Sequence, residues 1–327
     1  MAYIVRRLGF FVVTLWAALT INFFLPRMMP GNPAEAMISS FHGHLNPQAM
    51  HALEVAFGVN TRESLVAQYW DYLRNIATGN LGNSLTFFPN PVSQIIGQAL
   101  PWTLGLIGLT TVISFILGTL VGMIAAWRRG GLTDSVLPVT FIVTSSFPYF
   151  WLGILCIYVF ALQLGWFPGN QAYDTGGQIT LTWSFLSQLL KHGTLPALTI
   201  LITSIGGWVL TMRNTMITTL SEDYVRMARA KGLSSFRVMT LYAGRNAILP
   251  NLTGFAMSLG FVLSGALLTE IVFNYPGLGY LLYQAVTNED YPLMQGIFLI
   301  ITVAVLIAVL LADVATAVLD PRTRGSS

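Results

Sequence analysis

The feature that most constrains this chain is a recurrence of long apolar runs, near residues 8–25, 103–127, 136–163, 195–215, 251–273 and 293–317. A bilayer's hydrocarbon layer is crossed by roughly 20 apolar helical residues, and helix is favoured there because no water is present to bond an open backbone. Six such runs predict an all-α polytopic membrane protein with six transmembrane helices. Composition agrees, because 54% of the 327 residues are hydrophobic and only 9% are charged, which is too few to solvate a globule of this length. The first run follows Arg6 and Arg7 in the manner of a secretory leader. It is longer than a leader core, however, and no small-residue cleavage site follows it. "PRMMPGNP" reads instead as a membrane exit.

Basic residues set the orientation, since Lys and Arg near span ends are retained in the cytoplasm. An even number of spans puts both termini on one side. That side then holds twelve of the sixteen basic residues, including Arg6, Arg128, Arg226 and Arg322, while Arg27, Arg62, Arg74 and Lys191 fall opposite. None is left in mid-bilayer, where each would cost about 2.5–3.5 kcal/mol. Both termini are therefore expected to be cytoplasmic. The expected organisation is a first helix in 1–25, an extracytoplasmic cap in 26–101, a five-helix core in 102–318 that includes a cytoplasmic loop at 216–250, and a short tail at 319–327. Within the cap, "RESLVAQYWDYLRNIA" places Leu65, Tyr69, Tyr72 and Ile76 at helical spacing before Gly79, Gly82, Pro89 and Pro91 break it. A second outer excursion is expected at 164–194.

Inside the spans, Gly118 and Gly122 form a Gly-x-x-x-Gly pair that permits close helix approach. Pro148 in "TSSFPYFW" is expected to kink the third span and free a carbonyl that Ser145 or a neighbouring helix satisfies; such kinks can line a pathway. Glu270 and Asp313, each near a span end, are the acidic residues that fall in spans. They are expected to snorkel or be capped, with Ser145, Pro148 and Glu270 as pathway or gate candidates. Cys156, the single cysteine, reads as a packing residue.

Several chemistries find no motif. There is no phosphate loop, no His-Glu-x-x-His helix and no Gly-x-Ser-x-Gly elbow, so no catalytic residue, metal site or bound cofactor is assigned. His42, His44 and His51 cluster on the outer side and are expected to be solvated. A net charge of +3 spread over many loops is no footprint for nucleic acid.

Against this background "EDYVRMARAKGLSS", residues 222–235, stands out, with five charges in its first ten residues. Ser221 is expected to cap a helix whose first turn holds Glu222 and Asp223, with Lys231 in the last turn and Gly232 as terminator, over a length of about 15 Å. Val225, Ala228 and Gly232 share a narrow face that would let a partner's backbone approach. Pro250 suits the first turn of the fifth span.

"DYVRMARAKGLSSFRVMTLYAGRNAILP", residues 223–250, resembles the EAA loop of binding-protein-dependent ABC importer permeases, in the form typical of the dipeptide, oligopeptide and nickel branch. Arg226, Met227 and Ala228 stand where the name-giving Glu-Ala-Ala lies, so the Glu is absent. The resemblance extends along the chain through "YIVRRL", "PGNP", "GNLGNS", "FPYFWLG", "TEIVFNYPGLGYLL", "EDYPLMQG" and "LDPRTR".

That resemblance implies the type I ABC importer permease fold, with the loop between the fourth and fifth spans forming a coupling helix. It implies that Asp223, Tyr224, Arg226, Ala228, Ala230, Lys231 and Gly232 dock on a separate ATP-binding subunit, which carries the ATP and magnesium that this chain does not bind. The implied partners are a second homologous permease, two ATP-binding subunits, an extracytoplasmic substrate-binding protein and the lipid bilayer of a bacterial or archaeal plasma membrane, with no nucleic acid. The chain itself is then not an enzyme. Peptides are the substrate expected from the branch; oligosaccharides, nickel or glutathione are alternatives. A stand-alone secondary transporter or channel is the reading from another class. It would call for deep ionisable groups or inverted repeats, which the sequence does not show.

Overall fold

The computed structural model describes residues 2–28, 64–174, 176, 180, 182–262 and 267–319, excepting the side chains of 2–8, 132–135 and 313–319. Its main helices, in chain order, are α1 (Ala2–Arg27), α2 (Leu65–Ala77), α3 (Val92–Thr103), α4 (Leu109–Trp127), α5 (Leu132–Ser145), α6 (Tyr149–Cys156), α7 (Trp183–Leu220), α8 (Asp223–Ala230), α9 (Leu249–Phe261), α10 (Leu267–Val272), α11 (Leu278–Thr287) and α12 (Tyr291–Leu319). A π-helical turn at Leu104–Gly108 joins α3 to α4, and another at Ile157–Gln163 extends α6. Among the described residues, four helices are long and apolar enough to cross a membrane: Gly9–Arg27, Val92–Trp127, Trp183–Leu220 and Tyr291–Ala312. A fifth crossing is available if the bent pair Val136–Ser145 and Tyr149–Gln163 counts as one span. The remaining expected span, the fifth in chain order at 251–273, corresponds to α9 and α10, with residues 263–266 between them outside the described set.

Two helical segments differ from expectation. The third span is broken rather than kinked: its halves meet at 90°, with Pro148 as the residue before α6. The Ser145 hydroxyl donates to Ile142 O at 3.1 Å, while the Thr144 carbonyl accepts from Phe147 N–H at 3.4 Å, so Ser145 does not serve the carbonyl that proline frees. The helix of the fourth expected span, α7, is also longer than its apolar run. At 38 residues it spans roughly 57 Å, well beyond the hydrocarbon, and absorbs the last part of the expected outer excursion. Its start is fixed by Thr182, whose hydroxyl caps Phe185 N–H at 3.3 Å, and burial of Phe185, His192 and Leu195 holds the polar first turns in register.

The chain forms two compact units, one of residues 1–103 with 276–310 and the other of 104–275 with 311–327. In the first, α2 packs on the end of α1 through the residues its spacing predicts. Tyr69 bonds Thr20 at 2.7 Å, Asn22 Nδ2 donates to Tyr72 at 3.1 Å and to Gln295 O at 2.9 Å, and Phe23, packed against both tyrosine rings, is fully buried. Burial pushes the Tyr72 phenol up to about 12. Gly79 and Gly82 both take positive φ, which gives the predicted break its geometry. The following loop is held by Asp290, whose buried carboxylate accepts from Ser84 Oγ, from Thr86 N–H at 2.9 Å and from Leu293 N–H at 3.1 Å in the first turn of α12. Asp290→Ala strands these buried donors, at a cost of roughly 3 kcal/mol. The thermal unfolding midpoint of the detergent-purified chain is expected to fall by several degrees, with Asp290→Asn intermediate; an unchanged midpoint contradicts the clamp.

In the second unit, α4 lies against α7 at the glycine pair. A Cβ on Gly118 would stand 2.5 Å from Trp208 Cβ, and one on Gly122 2.5 Å from Val209 O. The seam also carries a bond between Ser114 and Ser204 hydroxyls at 2.9 Å. Asn251, buried one turn into α9, ties that helix to the seam by donating to Thr119 Oγ1 at 3.1 Å and Trp208 O at 3.2 Å. Pro250 occupies the first turn of α9, where its missing N–H leaves no bond unmade. Cys156 is buried in α6.

Candidate functional site

The charged segment begins where α7 ends. Ser221 closes α7 rather than opening α8, its hydroxyl donating back to Thr218 O at 2.6 Å. Glu222, extended at φ −69° and ψ 145°, is the residue before the first turn and makes no side-chain capping bond. The expected cap is thus displaced by one residue, because a serine hydroxyl at the end of a helix can bond the preceding turn as readily as the next. Asp223 lies in the first turn, where it meets the positive end of the helix dipole, and pairs with Arg226 at 3.9 Å on the exposed surface.

At the other end Lys231 is the C-terminal flanking residue and Gly232 takes φ +74°. The Gly232 N–H reaches Arg229 O at 3.0 Å and Leu233 N–H reaches Ala228 O at 3.4 Å, a pairing that satisfies two terminal carbonyls. Gly232 is therefore required for its backbone conformation. An added Cβ would meet nothing within 4 Å, so no neighbour in this chain demands its small size.

Val225 and Ala228 point into the chain's own core, with 0% and 2% exposure. They sit among Ala126 of α4, Met212 and Met216 of α7, and Val238, Ala243 and Ala247 of the following segment. Two of the three residues of the narrow face expected to receive a partner are thus buried in the chain itself, while Gly232 stays exposed. Arg229 stacks its guanidinium 5.1 Å over Trp127, Tyr224 accepts from Asn246 Nδ2 at 2.8 Å, and Thr215 Oγ1 donates to Ala247 O at 3.0 Å. Gly244 sits where a Cβ would press Met123 Cε and Met239 O, each at 2.9 Å. These contacts fasten α8 to the ends of α4 and α7.

What remains outward is Asp223, Tyr224, Arg226, Met227, Arg229, Ala230, Lys231 and Gly232, all exposed. Of the seven residues expected in docking, Ala228 alone is turned inward. Met227, 59% exposed and not among them, sits at helical spacing between Asp223 and Ala230 as an apolar spot ringed by charge. The signal for it was present in the sequence, since Met227 lies on the side of the helix away from Val225 and Ala228.

Ser145 and Pro148 flank the break between α5 and α6, whereas Glu270 lies in α10. That helix packs on α6, where a Cβ added at Gly153 would stand 3.1 Å from the Phe273 ring. Glu270 is 1% exposed, so it does not snorkel; contact of α10 with α6 and α7 covers that side. The side chain of Asp313 and residues His42, His44 and His51 lie outside the described residues.

Comparison with known proteins matches this architecture over almost its full length. Residues 118–325 match the family described as binding-protein-dependent transport system inner membrane component, and residues 1–98 match the N-terminal region of such membrane components. The di/tripeptide transport system permease protein DppB of Pseudomonas aeruginosa is 35% identical over 99% of each chain. The dipeptide permease DppB of Alkalihalophilus pseudofirmus is 31% identical over 99% of each, and the oligopeptide permease AppB of Bacillus subtilis 31% over 98% of each. With the apolar helices and the polar segment that the family resemblance predicts, these matches show that the chain is a membrane permease belonging to the family of inner-membrane components of binding-protein-dependent transport systems.

Proposed function

We propose that this chain forms part of the membrane pathway of an ATP-driven importer of short peptides and that α8 is the point at which it is driven. The observation that carries this reading is the division of α8 into a face buried in its own permease and a charged, Met227-centred face with no covering. A helix fastened to the ends of two long helices transmits a displacement to both, whereas a solvated loop would absorb it. Relatives of the same length named for dipeptide, tripeptide and oligopeptide transport support the peptide substrate.

On this reading the chain has six spans with both termini in the cytoplasm and works beside a second homologous permease. Two ATP-binding subunits hold ATP and magnesium, and a substrate-binding protein delivers peptide from outside. Asp223, Arg226, Met227, Ala230 and Lys231 meet the ATP-binding subunit, while Gly232 ends the helix sharply enough to present them. Closure of the two ATP-binding subunits then moves α8, and α4 and α7 with it, between inward-open and outward-open arrangements.

The test is uptake of labelled alanyl-phenylalanine by the complete transporter in proteoliposomes. Uptake that requires ATP, the ATP-binding subunits and the binding protein is expected. Peptide uptake by this chain alone, or uptake of an oligosaccharide in place of peptide, overturns the proposal.

A further inference from the structure

A cavity of about 560 Å³ opens at the N-terminal head of α7, its walls including Trp166, Phe167, Asp174, Gln188, Lys191 and His192. Its size falls in the range of roughly 300–1,000 Å³ found for small-molecule sites. Lys191 is one of two lysines in the whole chain, and among the described residues its ammonium has neither an ion-pair nor a hydrogen-bond partner. The loop carrying Asp174 is tied to α7 by His192, a residue only 6% exposed. The ring's Nδ1 donates to Asn170 O at 2.9 Å and its Nε2 lies 3.2 Å from Asp174 Oδ1. The Asp174 side chain is nevertheless 68% exposed, so this tie leaves it open to a second donor. Gln188 keeps its carbonyl Oε1 buried without a hydrogen-bond partner among the described residues, and Trp166 offers a ring that is 64% exposed.

We propose that this cavity is a binding site for the zwitterionic backbone of a short peptide, formed by the permease itself. A carboxylate belongs beside Lys191 and an ammonium beside Asp174. An apolar side chain lies on Trp166. The proposal rests on the peptide-importer reading, under which the head of α7 is extracytoplasmic and the cavity holds peptide between its release by the binding protein and its passage. A way station must release what it binds, so weak affinity, on the order of millimolar, suits it.

The test uses the assembled complex of permeases and ATP-binding subunits, without the binding protein, and equilibrium binding of alanyl-phenylalanine and its C-terminal amide. Lys191→Gln is expected to weaken peptide binding at least fivefold and Lys191→Arg to restore it. The amide is expected to bind the native complex at least fivefold more weakly than the free acid, and to lose nothing further in Lys191→Gln. Co-purification of the variant with its partners excludes misfolding. Native-strength binding in Lys191→Gln, or equal affinity for acid and amide, overturns the site. Intact peptide uptake without such binding overturns the site alone. Absent uptake with Lys191-dependent binding retained overturns the importer reading and leaves the site standing.

Discussion

Replacing Gly122 with leucine is expected to abolish accumulation of folded permease in the membrane. The new Cβ would lie 2.5 Å from Val209 O, 2.9 Å from Met212 Cβ and 3.2 Å from Arg213 N, and two of those atoms are backbone that no rotamer change can remove. Relief requires α4 and α7 to part. Parting them sacrifices close packing along the seam, the Ser114–Ser204 bond and the anchorage of α9 through Asn251. Overpacking a core by single methylenes costs about 1–3 kcal/mol, and this clash exceeds that case because the obstacle is main chain. Gly207→Ala on the facing helix, α7, is the control. A Cβ there meets nothing within 4 Å, so the substitution is expected to be neutral or stabilising by up to about 1 kcal/mol. Size-exclusion chromatography of fluorescently tagged chains from membranes measures both. Native yield and elution for Gly122→Leu contradict the role assigned to the seam.

This seam also illustrates what was legible beforehand. A Gly-x-x-x-Gly pair announces close approach because only hydrogen leaves room for another backbone, but the pattern does not name the partner helix; that α7 supplies it follows from tertiary packing. The spacing of Tyr69 and Tyr72 likewise predicted α2, since amphipathic periodicity is a local property. Helix ends were less readable. Apolarity marked 195–215 because hydropathy reports the hydrocarbon, yet α7 continues through polar turns whose capping and packing hydropathy does not register. Pro148 signalled a disturbance without its size, because proline removes one hydrogen bond whether the chain bends slightly or turns by 90°. At α8 the sequence marked a short charged helix, which the structure contains, but not which way its small residues face. Small residues suit either a partner's approach or burial against the same chain, and Val225 and Ala228 serve the second.

That distinction separates two otherwise similar substitutions on adjacent residues of α8. Met227→Glu is expected to reduce ATP-dependent uptake by roughly a hundredfold while leaving the chain folded and inserted. Met227 is 59% exposed, so in the isolated permease a carboxylate there stays in water. In the proposed complex it would replace the apolar centre of the docking face with a desolvated charge, and losses of 2–4 kcal/mol are ordinary at such central positions. A tenfold change in affinity corresponds to about 1.4 kcal/mol, which sets the size of the effect. Ala228→Glu should fail earlier and differently. At 2% exposure it forces a longer, charged side chain among Met212, Met216 and Val238, apolar neighbours that do not solvate a carboxylate. Little folded protein should reach the membrane. Measuring membrane abundance, co-purifying ATP-binding subunit and peptide uptake on the same preparations separates the outcomes. Met227→Glu should retain abundance and lose the subunit and uptake together, whereas Ala228→Glu should lose abundance first. Full uptake by Met227→Glu would mean that α8 is driven through some other face, and normal abundance of Ala228→Glu would mean that its anchoring face is not the one buried between α4 and α7.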